Sequence, residues 1–305
     1  MIKIYLLIGF LGAGKTTLLQ SLLESYKDRK IGVVVNEFGE VNVDAQLVKR
    51  EGIEMAELSN GSVFCACIKD KFVDSLIALS ALNLEILFIE ASGLADPSNM
   101  GQILDGIKHK TADTYEMAGM ICVVDALNFI DLMDLLPALA RQVEYANAVI
   151  INKADLVDNT RIEDVSSRIH EINPSAGIYV TSFCRVDIGQ VTSHFAETKK
   201  VSEETTNTYV SRPNAFILRA ETPISYVGLE NFLRQVSPGS FRIKGFAETD
   251  QGNIEISAVM ADLHLSKWQK EIQGTEIVVI SAVGIKLLST IISASNDHLG
   301  GRLKL

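Results

Sequence analysis

The chain has 305 residues, is 47% apolar and 22% charged, and carries a formal net charge of −10. That length suits one large or two medium domains, and the acidic balance argues against gripping a nucleic-acid backbone, which calls for a positive surface. No apolar run reaches the ~18 residues that a membrane span needs, and the N-terminal apolar stretch stops at Gly9, so neither a span nor a signal peptide is expected and the cytoplasm is the simplest location.

The first element is an apolar, β-branched run from Ile2 to Ile8, which reads as a strand. It leads into Gly9-Phe10-Leu11-Gly12-Ala13-Gly14-Lys15-Thr16-Thr17, which fits G-x-x-x-x-G-K-[ST], and then into a helix with leucines at helical spacing. Glycines at Gly9, Gly12 and Gly14 let backbone N–H groups, that of Ala13 among them, converge on phosphate oxygens, and the helix start at Thr17 adds its partial positive charge. Lys15 is placed to reach the β- and γ-phosphates and Thr16 to hold Mg²⁺.

A second buried strand, Ile31 to Val35, ends at Asn36-Glu37-Phe38-Gly39-Glu40. Carboxylates just past a strand end face the ligand crevice of an open α/β sheet, so Glu37, Glu40 and Asp44 are candidates for Mg²⁺, a second metal or the attacking water. Cys65 and Cys67 follow in the next loop. With four cysteines in the whole chain there is no disulfide framework, and this C-x-C pair suggests metal or redox use. Two thiols supply only half of a tetrahedral zinc site, so Glu37, Glu40 or a histidine would have to complete it. His109 and His170 are weighed for that role, although each reads better as a surface residue. Cys122, inside an apolar run, reads as a core filler.

A helix over 72–79 precedes a third strand, Glu85 to Ile89, that closes on Glu90-Ala91-Ser92-Gly93. Glu90 is expected to support Mg²⁺, and the Gly93 N–H to sense the terminal phosphate. Asp96-Pro97 opens the next helix. Strands at 120–125 and 148–151 follow, the second running into Asn152-Lys153-Ala154-Asp155. N-K-x-D at a strand end suits guanine: the Asp155 carboxylate accepts from N1–H and the exocyclic amine, a donor pair adenine lacks, while Asn152 fixes the loop and the Lys153 stem lies over the ring. A sixth strand over 178–181 ends at Ser182, where a backbone N–H is expected to meet guanine O6.

A polar stretch over 196–211 reads as a linker. Beyond it, strands at 215–220, 241–247, 253–260 and 276–280 and helices at 227–233 and 285–292 give a small α+β unit. The expected architecture is an α/β P-loop NTPase domain with a mainly parallel sheet over residues 1–195, the linker, and a smaller C-terminal α+β domain over 212–305.

With both motifs in place, the chain resembles the CobW family of metallochaperone GTPases, relatives of UreG and HypB. The resemblance rests on Gly9 to Thr17, Asn36 to Glu40, Glu90 to Pro97, Asn152 to Asp155 and Phe241-Arg242-Ile243-Lys244-Gly245-Phe246. One hallmark departs. The family's N-G-C-x-C-C is replaced by Asn60-Gly61-Ser62-Val63-Phe64-Cys65-Ala66-Cys67, so only Cys65 falls on a family cysteine.

The resemblance implies a cytoplasmic GTPase that couples GTP binding and hydrolysis to delivery of Zn²⁺, Co²⁺ or Ni²⁺ to a client protein or cofactor pathway. In this reading Lys15, Thr16, Glu37 and Glu90 serve hydrolysis, and Thr16, Glu37, Glu40, Cys65 and Cys67 serve metal ions. No water-positioning glutamine or arginine finger stands out, so intrinsic hydrolysis is expected to be slow and to rise with a partner or a nucleotide-dependent homodimer. The alternative is a GTP-switched interaction protein of corrinoid or cobalamin metabolism without a stable metal site.

Overall fold

The computed structural model describes residues 1–36, 53–58, 69–133, 136–193, 195, 213–260 and 262–305. The expected linker and the candidates Glu37, Glu40, Asp44, Cys65 and Cys67 lie outside these residues. The chain divides into two compact units, Met1–Ser211 and Arg212–Leu305.

In the first unit, strands β1 (Ile2–Gly9), β2 (Ile31–Asn36), β3 (Glu54–Leu58), β4 (Ile86–Glu90), β5 (Tyr115–Asp125), β6 (Ala148–Asn152) and β7 (Gly177–Val180) form one sheet in the order β3-β2-β4-β1-β5-β6-β7. Every pairing is parallel. A parallel sheet is covered on both faces, which is why β2, β4 and β6 read as apolar runs instead of alternating ones, and β1 does so after the exposed Lys3. The helices are α1 (Lys15–Ser25), α2 (Lys69–Ser80), α3 (Met100–Ile107), α4 (Phe129–Met133), α5 (Pro137–Tyr145), α6 (Asn159–Ile172) and α7 (Ile188–Ser193). In α1, Leu18, Leu19 and Leu22 are wholly buried with Val33, Val35 and Phe88 of the sheet; each leucine contributes ~1.5–3 kcal/mol of burial free energy.

One feature of this unit differs from the sequence expectation. Strand β3 is additional, and pairs with β2 from Gly32–Glu54 to Asn36–Leu58. The first unit also keeps packing as far as Phe195, whose ring stands 6.0 Å from that of Tyr5 and so close to Gly119 that a Cβ there would approach it to 2.4 Å.

The sheet positions the site through its order. β1 lies between β4 and β5, so the chain leaves the sheet in opposite directions on its two sides. Crevices at the carboxyl ends of strands form at such a reversal. Gly9, Glu90, Asp125 and Asn152 are the last residues of β1, β4, β5 and β6, and Thr181 and Ser182 follow β7 directly.

The second unit is a five-stranded antiparallel sheet built from β8 (Ala215–Ala220), β9 (Ser240–Thr249), β10 (Gly252–Val259), β11 (Asp262–Lys267) and β12 (Thr275–Ser281), in the order β11-β10-β9-β12-β8. Helices α8 (Tyr226–Val236) and α9 (Leu287–Leu299) bury Leu229, Phe232, Leu233, Leu287 and Ile291 in one cluster with alternate strand residues Ile243, Ile256, Ile277 and Val279. Ser225 caps α8 by accepting from the Gly228 N–H. A Cβ on Gly228 would stand 2.4 Å from the His298 carbonyl oxygen, so only glycine lets the two helices meet here. Edge strand β11 is a further element absent from the sequence expectation, and the last helix starts at Leu287 after a 3-10 turn at Gly284–Lys286.

Candidate nucleotide-binding site

The loop between β1 and α1 has three glycines at positive φ: Gly9 at 134°, Gly12 at 72° and Gly14 at 119°. Two are also sterically enforced. A Cβ on Gly9 would reach 2.1 Å from the Val123 carbonyl oxygen, and one on Gly14 would reach 2.4 Å from Asn152 Nδ2 and 2.9 Å from Cys184 Sγ. Helix α1 begins at Lys15 with no side-chain cap, so its first N–H groups are suited to an anion. The buried Lys15 ammonium donates to the carbonyls of Gly9 at 2.9 Å and Phe10 at 3.1 Å, which holds it across its own loop. Thr17 is exposed.

Thr16 Oγ1 donates to Glu90 Oε1 at 2.8 Å, and Glu90 is 3% exposed. A hydroxyl and a buried carboxylate side by side at the phosphate loop are hard oxygen donors, the chemistry that suits a cation such as Mg²⁺. Gly93 lies against the same loop: a Cβ there would meet the Leu11 backbone nitrogen at 2.4 Å. Asp96 closes this segment, its Oδ1 accepting from Ser98 N at 3.0 Å ahead of α3.

Asn152 joins the two ends of the crevice. Its Nδ2 donates to the Ala13 carbonyl, 139 residues away in the chain, at 2.8 Å. Its Oδ1 accepts from the Cys184 N–H at 2.9 Å. Lys153 adopts φ 61° and directs its ammonium to Asp125 Oδ2 at 2.6 Å. The Asp155 N–H donates to Ser182 Oγ at 3.1 Å, and Asp155 itself is exposed. The structure therefore brings Gly9, Gly12, Ala13, Gly14, Lys15, Thr16, Glu90, Gly93, Asn152, Lys153, Asp155 and Ser182 to the carboxyl edge of one sheet. Phe183, 64% exposed, extends the surface beside Ser182.

Three residues of this region carry no role in the sequence reading. Asp125, 4% exposed, accepts from Lys153, from Leu127 N at 2.9 Å and from Asn128 Nδ2 at 3.1 Å. It closes an apolar strand on a carboxylate just as Glu90 does, and that pattern was the available signal. Gln142, 1% exposed, reaches the Gly93–Ala95 turn from α5. Cys184 lies under the phosphate loop, with Sγ 3.3 Å from the Gly14 carbonyl oxygen. Burial pushes its thiol up to about 12, so it is a packed, protonated group and not a nucleophile at neutral pH. Cys122 is buried with a thiol raised likewise, in keeping with a core role. Among the described residues no group of three or more His, Cys, Asp or Glu side chains is arranged to hold a metal ion, and no helix is long and apolar enough to cross a membrane.

Residues 3–180 match the family model described as CobW/HypB/UreG, nucleotide-binding domain. The chain is 34% identical to the zinc chaperone YjiA of Escherichia coli (strain K12) over 194 residues, which is 62% of this chain and 60% of that one. It is 27% identical to the zinc-regulated GTPase metalloprotein activator 1 of Dictyostelium discoideum over 297 residues, 81% of this chain and 62% of that one. It therefore spans about three-fifths of the length of each of these curated relatives. The crystal structure of Zn(II)-bound YjiA GTPase from E. coli aligns with 97% of this chain and 98% of its own, at a TM-score of 0.48 and 24% identity. The family match covers the phosphate loop, Glu90 and the N-K-x-D loop in one stretch, and by it the chain belongs to the CobW/HypB/UreG family.

Proposed function

We propose that this chain is a GTP-binding, slowly hydrolysing cytoplasmic metallochaperone that couples nucleotide state to delivery of a transition metal to a client protein or cofactor pathway. Zinc leads cobalt and nickel, because the relatives named above carry zinc in their names. The observation that carries the nucleotide half is the pair of hydrogen bonds made by Asn152, which ties the phosphate loop at Ala13 to the base-reading loop at Cys184. One side chain thereby sets the spacing between phosphate and base.

In this reading Lys15 and the amides from Gly12 to Thr17 hold the phosphates, and Thr16 with Glu90 holds Mg²⁺. When bound, Mg²⁺ neutralises charge between the β- and γ-phosphates. The Gly93 N–H senses the terminal phosphate. Asp155 accepts from guanine N1–H and the 2-amine, Ser182 braces the Asp155 backbone, and the Lys153 stem is steadied beside the base by Asp125. Glu37, Glu40, Cys65 and Cys67 are proposed for the delivered metal and for the response to the terminal phosphate.

Base discrimination tests the guanine assignment. Inosine triphosphate lacks the 2-amine and ATP lacks both donors. The expected order of affinity is GTP, then ITP weaker by about tenfold, then ATP weaker by at least about a hundredfold, since each lost charge-assisted hydrogen bond is worth ~1.5–3 kcal/mol. Asp155→Ala, at an exposed position that leaves the core intact, should bring GTP and ITP within about threefold of one another and narrow the gap to ATP. Comparable GTP and ATP binding by the unaltered protein would refute the assignment.

A further inference from the structure

Every residue from Ala91 to Met100, the segment that runs from β4 into α3, is buried. Its backbone must therefore find partners within the protein. Two of its carbonyls, those of Gly93 and Ala95, accept from one group: Gln142 Nε2 of α5, at 3.3 and 2.8 Å. Both hydrogens of that amide are thus committed to the turn.

The base from which Gln142 reaches is itself held. Asn173, 2% exposed, shares the two hydrogens of its Nδ2 among the carbonyls of Val143 at 2.8 Å, Glu144 at 3.1 Å and Ala146 at 2.8 Å, closing the C-terminal end of α5 directly after Gln142. On its other side the turn meets the phosphate loop, where the Leu11 nitrogen leaves no room for a Cβ on Gly93. The turn is closed within by the Ala95 N–H donating to the Ser92 carbonyl at 3.0 Å, and from outside it is held against the phosphate loop at the Gly93 α-carbon and by Gln142 at its carbonyls.

We propose that Gln142 is a positioning residue for recognition of the terminal phosphate: it presets the Gly93 turn, so that the Gly93 N–H is aimed before nucleotide arrives. This rests on the reading of Gly93 given above. Gln142 touches no phosphate itself, because both of its N–H donors are spent on the turn. Preset geometry favours the ligand that uses it, so the effect falls on triphosphate and spares diphosphate. A side chain that only satisfied buried carbonyls would affect both nucleotides alike.

The test measures Mg²⁺-dependent binding of fluorescent GDP and of fluorescent GTPγS to the full chain and to two variants. Gln142→Met matches the shape without donors, and Gln142→Glu supplies one donor instead of two when its carboxyl carries a proton. Gln142→Met is expected to weaken GTPγS at least tenfold with GDP held within threefold, and Gln142→Glu to fall between it and the parent. Should the methionine variant not fold, the glutamate variant still reports the ratio of the two affinities. Hydrogen exchange of the parent over residues 91–99 separates the two ideas. Slower exchange with GTPγS than with GDP supports the Gly93 reading, and an unchanged affinity ratio in the variants then overturns the role of Gln142 alone. Equal exchange in the two nucleotide states overturns the Gly93 reading and the proposal with it.

Discussion

Lys15→Ala is expected to lower kcat/KM for GTP by ~10²–10³-fold, the loss typical of removing one preorganised donor from a developing charge, while the unfolding midpoint moves by only a few degrees. The ammonium is nearly buried and donates to the neutral carbonyls of Gly9 and Phe10. Such contacts offset the cost of desolvating a charge without leaving much surplus, so removing the side chain is close to neutral for the fold. The same carbonyls keep the ammonium at the mouth of the loop, and moving it onto phosphate exchanges neutral acceptors for charged ones. Lys15→Arg should fare no better, because a planar fork does not fit a place shaped for a compact charge. Steady-state hydrolysis beside a thermal melt reads both quantities. Retention of more than half the activity by Lys15→Ala would contradict this role.

Asn152→Ala should behave differently, with stability and nucleotide binding lost together. Truncation strands the Ala13 carbonyl and the Cys184 N–H, both in the interior. Each unsatisfied buried group costs ~1–3 kcal/mol, so unfolding free energy should drop by about 2–6 kcal/mol, and GDP and GTP affinity should fall by a common factor. Asn152→Asp is the sharper probe. It keeps an acceptor for Cys184 N but turns a second acceptor toward the Ala13 carbonyl, and should do at least as much harm as alanine. Chemical denaturation and GDP titration of both variants check the pattern, and full stability of Asn152→Asp would exclude a bridging role.

These two residues show what a reader of the sequence can and cannot extract. Lys15 and Asn152 stand in motifs whose order is local, a strand, a turn and a helix or a strand and a turn, and local order is written in apolar runs and glycines. The bonds that Asn152 makes are not local, and no spacing rule announces them. The same holds for Lys153 with Asp125, 28 residues apart, and for Gln142 with Gly93, 49 apart. Strand β3 was hidden for another reason: Glu54 and Glu57 interrupt its apolar character, and its place is settled by pairing with β2. Strand β11 is a half-exposed edge whose two leucines alternate with His264 and Ser266, a pattern too short and polar to stand out from a loop. The small unit beyond residue 212 was otherwise legible because β8, β9, β10 and β12 alternate cleanly or run apolar.

The proposed coupling of nucleotide to metal carries the functional account, and coupling between two sites is reciprocal. Zn²⁺ affinity of the full chain, measured by chelator competition in saturating Mg·GDP and again in saturating Mg·GTPγS, tests it most directly. The account predicts at least a tenfold difference in zinc affinity between the two states, matched by an equal factor when nucleotide affinities are measured with and without zinc, and abolished in the Cys65→Ala/Cys67→Ala double variant. Zinc affinity that is the same in both nucleotide states would contradict it.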